Sequence, residues 1–198
     1  MINERRLVDL FLKYVQIDSE SRKEENFREV LEQDLRELGT EVTADEAGNL
    51  FFALDGDEKA EPLLFTAHMD TVVPGQSIRP MMEDGVIKSG GDTVLGGDDK
   101  SGIAAIVEAI RVMKEEKIPH RRVEVLFTVE EEIGLNGSRA ADLGQVRSRY
   151  SIAMDGCGPM DEIVVNGAGQ ANVEIEITGV AAHAGNSPEK GVSAVIAA

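Results

Sequence analysis

His68 and Asp70, two positions apart in Thr66-Ala67-His68-Met69-Asp70-Thr71, close an apolar run with an imidazole and a carboxylate. In extended backbone that spacing sends both side chains to one face. It suits a metal-binding histidine whose other ring nitrogen is held by a carboxylate, and taken alone it also fits an ordinary strand end. Asp98 and Asp99 open a helix whose free N–H groups stabilise negative charge, an arrangement that serves metal ligation and helix capping alike. Glu130, Glu131 and Glu132 follow an apolar segment and precede Ile133-Gly134. Adjacent glutamates allow one to bind a metal while another takes a proton from water, although three consecutive acids also make a solvated charge run. Asp155, beside Gly156, ends a further apolar segment and doubles as a turn former.

Together these residues form a mixed nitrogen and oxygen donor set with no thiolate framework. A bridging carboxylate would hold two divalent ions about 3.5–4 Å apart, the spacing that activates water and polarises a carbonyl. Other chemistries are poorly supplied. Gly96-Gly97-Asp98-Asp99-Lys100-Ser101 has no glycine before its lysine, and it sets two carboxylates where a phosphate loop needs amides. No G-x-S-x-G elbow occurs, and Cys157 has no base nearby in sequence.

The elements that must position these groups read as an α/β pattern. Leu7, Leu10, Phe11, Tyr14 and Val15 define an amphipathic helix capped at Asn3, and a second is expected from Lys23 to Leu38 with Gly39 as its stop. Val42 and Ala44, a turn at Ala47-Gly48-Asn49 and Leu50 to Leu54 predict a hairpin. Leu63 to Ala67, Val123 to Val129 and Tyr150 to Met154 predict strands of a partly parallel sheet, and their carboxyl ends can share one crevice. The long loop 71–97 is expected to carry one strand at Val86-Ile87-Lys88. A helix of about sixteen residues with Ile103, Ile106, Val107, Ile110 and Met113 inward should stop at Pro119, and Asn136 to Asp142 should form a short one. After Gly167-Ala168-Gly169, strict alternation from Asn172 to Thr178 predicts a one-sided strand of a second domain.

Of 198 residues, 37 are acidic and 20 basic, for a formal charge of −17. That field repels phosphate backbones and anionic membranes, which excludes nucleic acid as a partner. No apolar run reaches the ~20 residues that span a bilayer, and the amino terminus leads into a helix rather than a signal sequence. The single cysteine rules out an internal disulfide and suits a reducing cytoplasm.

The motifs, in order, resemble the co-catalytic zinc peptidase family that includes peptidase T, glutamate carboxypeptidases, aminoacylases and succinyl-diaminopimelate desuccinylase. The matching pieces are Thr66 to Val72, Gly97-Asp98-Asp99-Lys100-Ser101-Gly102, Thr128 to Gly134, Met154-Asp155-Gly156 and Gly179 to Gly191. Peptidase T-like tripeptidases are the nearest likeness. The resemblance implies that His68 binds one zinc and Asp70 orients it, that Asp98 rather than Asp99 bridges the metals, that Glu132 binds the second zinc and that Asp155 completes the first. It makes Glu131 the general base that takes a proton from water and passes it to the leaving amine. It makes His183 a lid histidine that reaches a partner subunit's site and steadies the developing oxyanion.

The implied fold is a mixed, largely parallel sheet flanked by helices over residues 1–168, followed by the start of an α+β lid and dimerisation domain over 169–198. The implied function is cytoplasmic hydrolysis of short peptides with two zinc ions, replaceable by other divalent ions, in a homodimer. Another amidohydrolase of the family, such as an aminoacylase, dipeptidase or carboxypeptidase, and a non-catalytic metal- or peptide-binding module are the alternatives. The family takes a further zinc ligand from a histidine near the carboxyl terminus, whereas this sequence has His68, His120 and His183, and His120 matches no motif. The chain, ending on the uncapped apolar run Val195-Ile196-Ala197-Ala198, is therefore expected to be an amino-terminal fragment.

Overall fold

The computed structural model describes residues 2–156, 158–159, 162–167, 169, 171 and 173–198; Cys157, Ala168 and Asn172 lie outside them. Helix α1 (Glu4–Val15) starts where the Asn3 side chain accepts the Arg6 amide, and it buries Leu10, Tyr14 and Val15. Helix α2 (Glu25–Glu37) begins two residues later than its apolar stripe predicts, and it buries Phe27, Leu31 and Leu35. Tyr14 and Phe27 meet edge to face at 5.3 Å, a geometry worth about 1 kcal/mol beyond the buried area.

Strands β1 (Thr43–Ala44) and β2 (Leu50–Leu54) form the expected antiparallel hairpin. Next come β3 (Leu63–His68) and a separate hairpin of β4 (Pro80–Glu83) and β5 (Val86–Ser89). Only the second of these two strands is expected from sequence, because Pro80 opens the first and its residues do not alternate. The overlooked signal is Asp84-Gly85, both at positive φ (50° and 80°), the turn chemistry that joins two antiparallel strands.

Helix α3 (Gly97–Glu115) breaks its first turn at Asp98 and Asp99, whose backbone is non-helical. It ends before Pro119, since Lys117 takes a left-handed φ of 50°. Strand β6 (Val123–Thr128), the short α4 (Asn136–Ala140) and β7 (Ser151–Ala153) follow. The central sheet runs β1-β2-β6-β3-β7. β6 lies antiparallel to β2 and parallel to β3, and β3 is also parallel to β7. All six residues of β6 are buried, which is why it reads as a nearly continuous apolar run. Its exception, Glu124, is fully buried and bonded to Arg122 Nε (2.8 Å), the Arg147 amide and the Ser148 amide and hydroxyl. Helices α1, α2 and α3 share one apolar core with the sheet, built around Tyr14, Phe27, Leu31, Phe52, Ile103, Val107, Val125 and Phe127.

The chain packs as two units, Met1–Pro159 and Met160–Ala198. Within the second, Val180 and Val192 form an antiparallel bridge, and α5 (Ala194–Ala197) starts at a Ser193 cap. Residues 173–178 form no strand, contrary to their alternation. A strand exists only when a neighbour takes up its N–H and C=O groups, and no described segment pairs with these residues; Val173 and Ile175 stay 80% and 76% exposed. Among the described residues, no helix is long and apolar enough to cross a membrane.

Candidate metal and catalytic site

Three parallel strands deliver their carboxyl ends to one place. β3 ends in His68 and continues to Asp70, β6 runs into Glu130, Glu131 and Glu132, and β7 leads to Asp155. Asp98 comes from the broken first turn of α3. One ligand atom from each of His68, Asp98 and Glu132 lies within 4.8 Å of the others, and the same holds for His68, Glu131 and Asp155. Both glutamates therefore reach the imidazole. His183 belongs to the second unit, where its exposed ring accepts the Gly185 and Asn186 amides at 3.1 Å.

His68 is buried and held from both sides. Its Nδ1 lies 2.9 Å from the Asp70 backbone carbonyl and 3.3 Å from that residue's Oδ1, so main chain and side chain both hold the ring. Its Nε2 faces Asp98 Oδ1 at 2.9 Å. A ring whose Nδ1–H is committed to a carbonyl presents Nε2 to a ligand position. Burial opposes charge on this ring, but the hydrogen bonds and charges of Asp70 and Asp98 outweigh it and raise its pKa to about 10.

Asp70 is fully buried and joins strand ends that are distant in sequence. Its Oδ1 accepts the Glu131 amide at 2.9 Å, and its Oδ2 accepts the Glu132 amide at 3.2 Å and the Ser21 hydroxyl at 2.7 Å. Burial pushes its pKa up, yet the bonds from His68, Ser21 and the two amides dominate, so it lies below the ordinary value.

The acidic loop is closed at its base. The Gly137 amide donates to the Val129 carbonyl at 3.1 Å, and the buried Asn49 side chain bridges the Val129 amide and the Gly137 carbonyl. A Cβ on Gly137 would stand 2.1 Å from the Val129 carbonyl oxygen, so only glycine permits this approach. Glu130 takes a left-handed φ of 52°, and its amide is tied to buried Glu24 Oε1 at 3.0 Å.

Negative charge is crowded here. Glu131, Glu132 and Asp155 all have raised pKa values, first through burial and then through mutual carboxylate repulsion, against the lowering pull of His68. Asp99 is raised to about 7, chiefly by burial and also by Asp155 and Asp98, and its buried Oδ2 has no hydrogen-bond partner. Several carboxylates around one imidazole, with an orphaned buried oxygen beside them, fit a bound cation. Nitrogen and oxygen donors without thiolate suit zinc and similar divalent ions. Ser21 and Asn49 escape sequence reasoning because they sit in connections without periodicity, and Glu24 because the apolar stripe places it inside the second helix whereas it stands just before that helix; the local signal for Asn49 is that it follows Gly48 in a turn.

The model of the family described as "Peptidase family M28" matches residues 49–192. The YqjE protein of Bacillus subtilis (strain 168) is 44% identical over 98% of this chain and 55% of its own length. A solved structure described as aminopeptidase PepT from Bacillus cereus ATCC 10987 superposes with a TM-score of 0.83 and 41% identity, covering 98% of this chain and 55% of its own. One described as a tripeptidase from Staphylococcus aureus subsp. aureus Mu50 gives a TM-score of 0.80 and 33% identity, covering 99% of this chain and 55% of its own. The chain spans about half the length of the curated relatives it matches.

Proposed function

The chain belongs to peptidase family M28, and on that footing we propose that it carries the metal-binding half-site of an enzyme that hydrolyses short peptides from the amino end. The carrying observation is the convergence of His68, Asp98, Glu131, Glu132 and Asp155 on one crevice, with ligand atoms within 4.8 Å in two sets that share His68. Similarity to an aminopeptidase and a tripeptidase supports the substrate class.

His68, Asp98, Glu132 and Asp155 would hold the cation, which we take to be zinc, with two ions in the intact subunit and Asp98 as the carboxylate they would share. Bound there, the metal supplies Lewis acidity towards water and the scissile carbonyl. Asp70 holds the His68 ring and the Glu131 and Glu132 amides in register. Glu131 takes the proton of the attacking water and returns it to the leaving nitrogen. Its raised pKa brings it closer to the operating range of a general base. We assign residues 1–168 to the catalytic domain and 169–198 to the start of a lid, whose His183 would reach a partner subunit's site and steady the developing oxyanion there. The exposed Val173, Ile175, Val195 and Ile196 support a homodimer surface on the lid, and the single cysteine supports a cytoplasmic setting.

Glu131→Gln tests this reading on a tripeptide with a free amino end. The rate is expected to fall about 10²–10⁴-fold while zinc content is kept. An unchanged rate with zinc retained removes Glu131 from the chemistry.

A further inference from the structure

The connection between α1 and α2, residues 16–24, is hydrogen-bonded to the segments that bear Asp70, Asp98 and the acidic run at Glu130. Lys100, two residues after Asp98 and fully buried, donates its Nζ to the Ile17 carbonyl at 2.7 Å. The Thr71 amide donates to the Ser19 carbonyl at 3.0 Å, the Ser21 amide to the Thr71 carbonyl at 3.4 Å, and the Glu130 amide to Glu24 at 3.0 Å. Within this connection one side chain reaches the residue that organises the site: Ser21 Oγ lies 2.7 Å from Asp70 Oδ2.

We infer that Ser21 is a positioning residue of the metal site, acting through Asp70 on His68 and on the Glu131 and Glu132 amides. Asp70 Oδ1 serves Glu131 and His68, at 2.9 and 3.3 Å, while Oδ2 serves Ser21 at 2.7 Å and the Glu132 amide at 3.2 Å. Ser21 therefore makes the shorter of the two bonds that fix Oδ2. Without its hydroxyl, a fully buried carboxylate oxygen keeps one long bond, and such an oxygen recovers its hydrogen bonding only if the carboxylate turns. Turning moves Oδ1 away from both the Glu131 amide and the His68 ring. Partners at this remove from a metal set ligand orientation and basicity, and their loss typically weakens metal binding about 10–100-fold.

The inference rests on the metal-site reading above, so two measurements separate them. The first is cobalt(II) affinity, followed through the visible absorption of the bound ion under chelator competition. The second is amide hydrogen exchange at Glu131 and Glu132 with chelator present, which needs no metal. Ser21→Ala is expected to weaken cobalt binding about tenfold or more and to speed exchange at both amides about tenfold. Ser21→Thr, which keeps the hydroxyl, is expected to return both to near the parent values. Gln76→Ala is the control, because Gln76 Nε2 bonds Glu20 of the same connection at 2.5 Å and does not touch Asp70; it is expected to change neither.

Ser21→Ala within about twofold of the parent on exchange, or Gln76→Ala matching its effects, overturns the inference. If the parent binds no cobalt(II), the metal reading falls, and amide exchange alone then decides the role of Ser21.

Discussion

The Asp70 carboxylate, just past the end of β3, accepts the Glu131 amide, just past the end of β6, at 2.9 Å. The two residues are 61 positions apart. This bond, with its neighbour to the Glu132 amide, makes the geometry of the imidazole and that of the acidic loop one structural unit. Parallel pairing of β3 with β6, His68 opposite Thr128, brings the two ends level so that a short side chain can span them.

Asp70→Asn places an amide group where the Ser21 hydroxyl and the Glu131 and Glu132 amides all donate. One arm of the new side chain is itself a donor, so a buried bond is lost and another group is left unpaired. Stability is expected to fall by about 2–3 kcal/mol, read by urea denaturation, and zinc affinity about 10–100-fold, read by chelator competition. A stability loss with unchanged zinc affinity would separate Asp70 from the metal site.

Zinc should stabilise the folded chain, since the ligand set exists only when β3, β6, β7 and α3 are assembled. At a free concentration 100 times its dissociation constant, zinc is expected to add about 2.7 kcal/mol. The gain should be seen as a higher thermal midpoint that EDTA reverses and His68→Ala abolishes. An identical midpoint with and without zinc would count against a cation in the crevice.

Glu124 gives a pH dependence away from the site. Burial opposes its charge, but bonds from Arg122, Ser148 and the Arg147 amide outweigh it, so its folded-state pKa lies below the ordinary value. Between that value and the unfolded pKa of about 4.3 the unfolded chain binds more protons, so stability rises with pH across this window and is lost as pH falls through it. Glu124→Gln is expected to cost about 2–3 kcal/mol at neutral pH and to flatten the acid limb of stability. A parallel limb in parent and variant, measured by denaturation from about pH 6 to about pH 3, would reject this account.

Periodicity, apolar runs and turn residues are local, and they placed most elements without help from the tertiary structure. Leu63 to Ala67 and Val123 to Val129 read as buried strands, and α1 and α3 read from their stripes, because burial of one face or both leaves a repeat of 3.6 or an unbroken run. That three strand ends carry His68, Glu130 to Glu132 and Asp155 was equally visible. Local reading failed where pairing decides. Residues 173–178 alternate as a strand should but lack a described partner to bond with, while Pro80–Glu83 does not alternate and is a strand because Val86–Ser89 pairs with it. The supports of the site were invisible for a related reason. Ser21 meets Asp70 across 49 residues and Glu24 meets the Glu130 amide across 106, and a hydrogen bond over such a separation leaves no repeat in the chain. Sequence alone supplied the chemical groups and the strand ends that carry them; which backbone atoms hold His68, and which side chains hold Asp70, followed only from how the connections between elements pack together.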